Sequence, residues 1–147
     1  MLLLGTRNTA SQAVVTGENL NLGSVYRKFC RKNSCGFKAF DFSTESISLQ
    51  HQGIYHITAT ITFTAPVAGL VVFQLTENGE VIPGAIASET ITTATTETKT
   101  TTIDFYVLVD SSCVLGNPST MIKNISILNS GVASTISNVV VNVDKVL

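Results

Sequence analysis

The sequence predicts an all-β fold, and three of its features lead to that prediction. Residues 53–66, GIYHITATITFTAP, alternate strictly between apolar and polar side chains. Successive side chains of a β-strand point to opposite faces, so this alternation predicts a strand with one buried and one exposed face. Further strand-like segments bring the total to about eight to ten, with turn signals between them and no convincing helical pattern. We therefore predict a single-domain antiparallel β-sandwich or barrel, with a jelly roll among the choices.

The N-terminal third is predicted to form an arm, a basic segment and the first strands. Residues 1–19 are largely polar, with a short apolar stretch at 13–15 that predicts a first strand. Residues 25–38 hold five of the nine basic side chains. Alternating apolar residues around 40–49 then lead into the long strand at 53–66.

The second half of the chain carries the remaining strand and turn signals. Leu70–Leu75 is an apolar run, and Asn78-Gly79 after it predicts a type I′ hairpin turn, because both residues tolerate positive φ. Residues 81–85 should continue as a short or edge strand, since Pro83 cannot donate to a ladder. Residues 103–109 are apolar on both faces at their centre, as expected of an inner strand. The other predicted elements are a low-complexity threonine stretch at 90–102, a turn at 116–119, and strands at 122–128 and 136–143.

The composition is that of a weakly charged protein. Charged residues make up 13% of the 147 residues, about half the usual share, and the formal net charge is -1. Such a surface gives no general attraction to nucleic acid or membranes, and it opposes association only weakly. No apolar run reaches the roughly 18 residues of a membrane span, and residues 1–4 are too short for a signal-peptide core. We expect a protein that begins in a cytoplasm, with Cys30, Cys35 and Cys113 as free thiols, although a Cys30–Cys35 bridge stays open.

Three features in order resemble the C1q/TNF-like jelly-roll superfamily. The first is Gly53-Ile54-Tyr55, which follows an extended segment and opens the long alternating strand within residues 47–61. The second is Leu75–Glu80, which resembles a family strand that ends in an Asn-Gly turn. The third, Leu128–Gly131 followed by the last strand, is similar to short C1q-like proteins of bacteria and their phages.

The resemblance covers residues 45 to 145 and implies an antiparallel jelly roll over 45–147. Residues 1–44 would then be an N-terminal arm with first strands, used for attachment, and both parts are interpreted as one domain. The chain has no tryptophan and no collagen-like stem, so a secreted animal module is not expected.

The resemblance also implies a homotrimer in which three jelly rolls pack around a threefold axis. A neutral threonine face can pack against a neighbour without the desolvation of charges, which costs several kcal/mol per ion. The alternative is equally open: threonine has good strand propensity, and these residues simply face solvent. The candidate interface residues are Tyr55, Thr58, Thr60, Thr62 and Tyr106.

No catalytic or metal-binding pattern is convincing, so we expect no enzymatic activity and no cofactor. Cys30-x4-Cys35 with His51-x4-His56 superficially resembles a zinc site, which needs four converging ligands. If residues 50–56 form a strand, the two imidazole rings point to opposite faces, which favours unrelated histidines and thiols. A Cys–His nucleophile pair lacks an orienting acid, and the carboxylates are few and scattered.

One basic cluster is the candidate docking patch. Aromatic residues are interleaved with it at Tyr26, Phe29 and Phe37. The cluster could bind an acidic surface of a partner protein or a phosphate-bearing polymer. The simpler interpretation, which we favour, is a solvated loop whose aromatic residues anchor it to the core. The patch residues are Arg27, Lys28, Arg31, Lys32 and Lys38.

The sequence supports two functional hypotheses. The first is a non-enzymatic structural virion protein of a bacteriophage, a trimeric capsid decoration or head-fibre component that contacts other virion proteins. The second is a receptor- or glycan-binding knob of a phage tail or bacterial surface, with recognition by loops near Asn78, Thr95 and Asn117.

Overall fold

The computed structural model of the chain describes residues 2–29, 40–110 and 122–146. These ranges contain eleven β-strands and no helix. The strands are β1 (Leu2–Asn8), β2 (Gln12–Val14), β3 (Ser24–Lys28), β4 (Phe40–Ser43), β5 (Ser46–Leu49), β6 (Gly53–Thr64), β7 (Gly69–Glu77), β8 (Glu80–Ile91), β9 (Lys99–Val109), β10 (Lys123–Asn129) and β11 (Ser134–Lys145).

The strands form two sheets, and every pairing between them is antiparallel. Sheet A has the order β3-β1-β11-β6-β9, with β2 paired to β11 as well. Sheet B has the order β4-β5-β10-β7-β8. The two sheets pack on each other as a sandwich, so the predicted all-β antiparallel sandwich is confirmed. The inner face of each sheet is the one toward the other sheet, and the outer face is the opposite one.

The core lies between the inner faces of the two sheets. Phe63 of sheet A meets Phe73 of sheet B edge to face, with ring centroids 5.2 Å apart and an angle of 75° between the rings. Both rings are fully buried, and burying a side chain of this size contributes about 1.5–3 kcal/mol. The segment before residue 45 takes part in the same core, because Leu4 of β1 and Val14 of β2 are buried in it.

The alternation along β6 is confirmed side chain by side chain. Its odd-numbered residues from Tyr55 to Phe63 are buried, and its even-numbered residues from His56 to Thr64 are partly exposed. β6 lies between β11 and β9, so hydrogen bonds join it to a neighbour on each side. Its polar residues therefore occupy the middle of the outer face of sheet A.

The turn and edge predictions have mixed outcomes. Asn78 and Gly79 join β7 to β8 with φ values of 52° and 85°, as a type I′ turn requires. β8, which contains Pro83, is the edge strand of sheet B as predicted, although it continues to Ile91. The prediction of an inner strand at 103–109 is wrong, because β9 is the edge strand of sheet A.

A buried asparagine joins the end of β10 to the neighbouring turns. Asn129 is completely buried, and its Nδ2 donates to the carbonyl oxygens of Val14 at 3.0 Å and Val132 at 3.1 Å. Its Oδ1 accepts from the Gly131 N–H at 3.1 Å. One side chain thus satisfies three backbone groups that belong to β2 and to the β10–β11 turn.

Candidate functional site

The outer face of sheet A carries a continuous patch of small hydroxyl side chains. On it Thr60 lies opposite Thr102, with their Oγ1 atoms 3.5 Å apart, and Thr62 lies opposite Thr100 at 3.0 Å. Cross-strand threonine pairs of this kind each contribute a fraction of a kcal/mol to the sheet. We call this patch the threonine face; its residues are Thr58, Thr60, Thr62, Thr100 and Thr102.

Charged groups gather at one end of the threonine face. The His56 ring stacks on Tyr106 with centroids 4.6 Å apart and an interplanar angle of 19°. His56 Nε2 contacts a carboxylate oxygen of Asp104 on the neighbouring strand β9. On the other side of His56, its cross-strand partner on β11 is Asp144. The threonine face itself remains uncharged.

The edge strand β9 adds exposed apolar surface beside these groups. The exposed fractions of Tyr106 and Leu108 are 58% and 60%. Both residues lie on the outer face, because the alternate residues Val107 and Val109 are buried. The two-sided apolar pattern that suggested an inner strand therefore includes two side chains that are exposed at this edge of the outer face.

Four of the five predicted interface residues share the outer face of sheet A, and the fifth does not. Thr58, Thr60, Thr62 and Tyr106 lie there together. Tyr55 is completely buried, since its odd position in the alternation places it in the core. Its hydroxyl donates to the His51 carbonyl oxygen at 2.7 Å, and burial raises the pKa of Tyr55. Tyr55 is therefore a core residue, and its place among the candidate interface residues was wrong.

The candidate docking patch is described only in part. Arg27 and Lys28 are exposed on β3, the edge strand of sheet A opposite to β9. The other proposed patch residues, Arg31, Lys32 and Lys38, lie outside the described residues, as do Cys30, Cys35, Cys113, Phe37 and Asn117.

Tyr26 of β3 lies across the outer face of sheet A. Its hydroxyl donates to Oδ1 of Asn142 on β11 at 2.6 Å, and the Arg7 guanidinium lies 5.5 Å from its ring centroid. The ring occupies the space above Gly5, where a Cβ atom would be 2.6 Å from it. Tyr26 thus anchors the start of the basic segment to the sheet, while Phe29 is 46% exposed. The sequence contained no signal for the role of Gly5.

Two of the loop positions suggested for recognition have left-handed backbones. Asn78 and Thr95 have φ values of 52° and 66°. Thr95 lies in the loop between β8 and β9. Glu97 stabilises this loop, because its carboxylate accepts hydrogen bonds from the N–H groups of Thr92 at 2.7 Å and Thr93 at 2.9 Å. The hydrogen bonds from Thr93 and Thr92 lower the pKa of Glu97 to about 2.

The described residues hold no group of three or more histidine, cysteine, aspartate or glutamate side chains placed to bind a metal ion. His51 precedes β6, which begins at Gly53, whereas His56 lies within that strand on its outer face. Across residues 2–29, 40–110 and 122–146, no helix is long and apolar enough to cross a membrane.

The proteins to which this chain is similar were found by comparison with solved structures. No protein-family model matches the chain, and no curated protein matches it in sequence. The structure of Eiger TNF from S. frugiperda matches with a TM-score of 0.58 and 8% identity, over 99% of this chain and 93% of that one. The fold is a TNF-like jelly roll. The PRD1 vertex protein P5 matches with a TM-score of 0.51 and 16% identity, over 96% of this chain and 95% of that one. At these identities the likeness concerns the fold alone.

Proposed function

We propose that this chain is a non-enzymatic structural protein of a bacteriophage virion. It forms a homotrimer that decorates the capsid or is part of a head fibre. The observation that carries this proposal is the outer face of sheet A, where the Asp104–His56 pair separates the uncharged threonine face from the exposed Tyr106 and Leu108.

The chemistry of that face suits contact between copies of the chain. Its hydroxyl groups can pair across an interface, and covering Thr60, Thr62, Thr100 and Thr102 takes no ammonium or carboxylate out of water. The exposed carboxylate of Asp104 lies opposite Thr58, at the end of the face, and contacts His56. Tyr106 and Leu108 lie on an edge strand, so they form a patch distinct from the middle of the face. Identical chains that contact each other through two different patches form a closed ring if the rotation from one chain to the next divides a full turn evenly. A threefold ring is the smallest such assembly after the dimer.

Two further observations support a virion role. The sequence resembles short C1q-like proteins of phages, and its fold is similar to that of a protein named as a vertex component, the PRD1 vertex protein P5. Attachment is assigned to residues 1–44, with the exposed Arg27 and Lys28 on β3 as contacts to an acidic surface of another virion protein.

Mass spectrometry of purified particles tests the virion role. The particles should come from the phage or induced prophage that encodes the chain. We expect the protein in the particles, in a copy number that is a multiple of three. Capsid and portal genes beside its gene would agree with a head location. Absence of the protein from intact particles would overturn the proposal.

A paired substitution tests the attachment surface. Charge reversal by Arg27→Glu with Lys28→Glu should reduce incorporation into particles and leave the trimer intact. The matched control is the double substitution Ser88→Glu with Thr90→Glu at exposed positions of β8 on sheet B, outside the proposed patch, which should leave incorporation unchanged. The assignment of this surface would be refuted if the variant with Arg27→Glu and Lys28→Glu were incorporated as well as the unchanged protein and the control.

A further inference from the structure

The outer face of sheet B holds a polar groove on the side of the sandwich opposite to the threonine face. The groove is shallow, with a volume of about 850 Å³, within the range of small-ligand sites. It runs over β10, between the β7–β8 turn and the segments around residues 17–19 and 43–46. We call it the sheet B groove; the residues that carry the argument are Asn19, Ser46, Thr76, Asn78, Asn124 and Ser126.

These six side chains are uncharged, and each bears an amide or a hydroxyl. Amide and hydroxyl groups can each donate and accept hydrogen bonds. They therefore suit a ligand that is itself rich in hydroxyl groups. Glu45 is the one charged side chain among the described lining residues, and no described cation lines the groove. An anionic ligand is therefore disfavoured. Ile122 and Leu128 add apolar surface for the C–H groups of a sugar ring.

The amides at the centre of the groove are held in fixed orientations. Asn78 Oδ1 accepts from the Asn124 N–H at 2.9 Å, and Asn78 Nδ2 donates to the Ile122 carbonyl oxygen at 3.3 Å. Asn124 Oδ1 accepts from the hydroxyl of Ser48 on β5. With its oxygen engaged, the side chain of Asn124 presents its amide N–H groups to a ligand. A donor fixed in this way loses little conformational freedom on binding.

Two hydroxyls in the floor of the groove have no partner in the described part of the chain. Thr76 and Ser126 lie opposite each other on β7 and β10, and neither hydroxyl bonds to another described residue. Thr76 is 4% exposed as a residue, but its hydroxyl is not among the buried atoms without a partner, so it opens to the groove. Both hydroxyls are therefore free to donate to, and accept from, a ligand hydroxyl.

We propose that the sheet B groove binds a neutral oligosaccharide. The site lies within one protomer and needs no residue of a second copy, so it is independent of the trimer and of the virion role. In a trimer assembled through sheet A, each protomer would present its own groove. Three weak sites on one particle component would then act together on a surface covered with sugar chains.

Heteronuclear NMR of the isotope-labelled full chain tests the proposal. The neutral probes are maltotriose, cellotriose and triacetylchitotriose, and the acidic probe is sialyllactose. We expect at least one neutral probe to give saturable shifts of the backbone amides of Asn78, Asn124 and Ser126 at millimolar concentrations. Sialyllactose should bind more weakly, because Glu45 repels its carboxylate.

Two variants separate a specific site from general contact with sugar. Asn124→Ala removes the fixed donor and should weaken binding by about five- to tenfold, as the loss of one or two hydrogen bonds predicts. Thr102→Ala on the threonine face is the matched control and should bind as the unchanged protein does. A thermal melt of each variant verifies that it is folded. The proposal is overturned if no neutral probe gives saturable shifts, if folded Asn124→Ala binds equally well, or if the shifts map to sheet A.

Discussion

A single lysine in the middle of the threonine face should dissociate the trimer. Thr60 is half-buried in the protomer, between Val140 of β11 and Thr102 of β9. In the monomer, Thr60→Lys puts an ammonium group on an open sheet face, where it remains in water. In the trimer, the same group would have to leave water, and the carboxylate two residues along β9 from Thr102, Asp104, is already engaged with His56.

The size of the effect depends on the cost of desolvating an ion. A buried ammonium without a partner costs several kcal/mol, and about 3 kcal/mol for each copy gives about 9 kcal/mol for three. At about 1.4 kcal/mol per tenfold change, the trimer dissociation constant should rise by about six orders of magnitude. The fold of the protomer should lose less than about 1 kcal/mol, the range of strand propensity.

Sedimentation equilibrium over a range of protein concentrations measures this change. The matched control is Thr90→Lys, the same substitution on β8 at an exposed position on the outer face of sheet B. We expect Thr90→Lys to sediment as the unchanged protein and Thr60→Lys to sediment as a folded monomer. A trimer of unchanged dissociation constant in Thr60→Lys would refute the assignment of the threonine face to the interface.

Three further predictions concern the protomer itself. Asn129→Ala leaves three backbone groups without their partner and should lower the free energy of unfolding in urea by about 3–5 kcal/mol. Gly5→Ala places a Cβ against the ring of Tyr26, which must move and lose its hydrogen bond to Asn142; this should cost about 1 kcal/mol, whereas in a Tyr26→Ala background Gly5→Ala should cost nothing. The Glu97 carboxylate, with its pKa lowered from 4.5 to about 2, stabilises its loop fully above about pH 4.5 and loses that effect as the pH falls through 2. NMR titration of Glu97 should therefore show a midpoint near 2.

A specific result would refute each of these three predictions. An Asn129→Ala variant as stable as the parent would mean that water replaces the lost amide. Equal cost of Gly5→Ala with and without Tyr26 would show that the ring is not the group that excludes a Cβ. A Glu97 midpoint near 4.5 would show that the hydrogen bonds from Thr92 and Thr93 are not formed in solution.

The sequence predicted those parts of the fold that depend on local pattern. The alternation in β6 determined which of its side chains face the core, because the side-chain period of a strand is two. The Asn78-Gly79 turn and the edge position of Pro83 were predictable from backbone chemistry that needs no knowledge of distant residues. The threonines of β6 could likewise be assigned to one exposed face from the alternation alone, without knowledge of the neighbouring strands.

The partners of the strands could not be predicted in this way. β1 pairs with β11, so Arg7 lies opposite Val140 from the far end of the chain, and no local pattern encodes that choice. β9 was predicted to be an inner strand because apolar residues on both faces usually mean burial on both faces. The structure instead leaves Tyr106 and Leu108 exposed. The sheet B groove was missed because β5, β7 and β10 contribute to it from separate parts of the sequence.

The most direct test of the central claim is the solution mass of the unchanged protein. Size exclusion with multi-angle light scattering, at several protein concentrations and at high salt, gives that mass without a variant. The account predicts a stable species of three 15.6 kDa chains that high salt does not dissociate, because the threonine face carries no charge. A monomer at every concentration would contradict it, and the outer face of sheet A would then be an ordinary solvated surface.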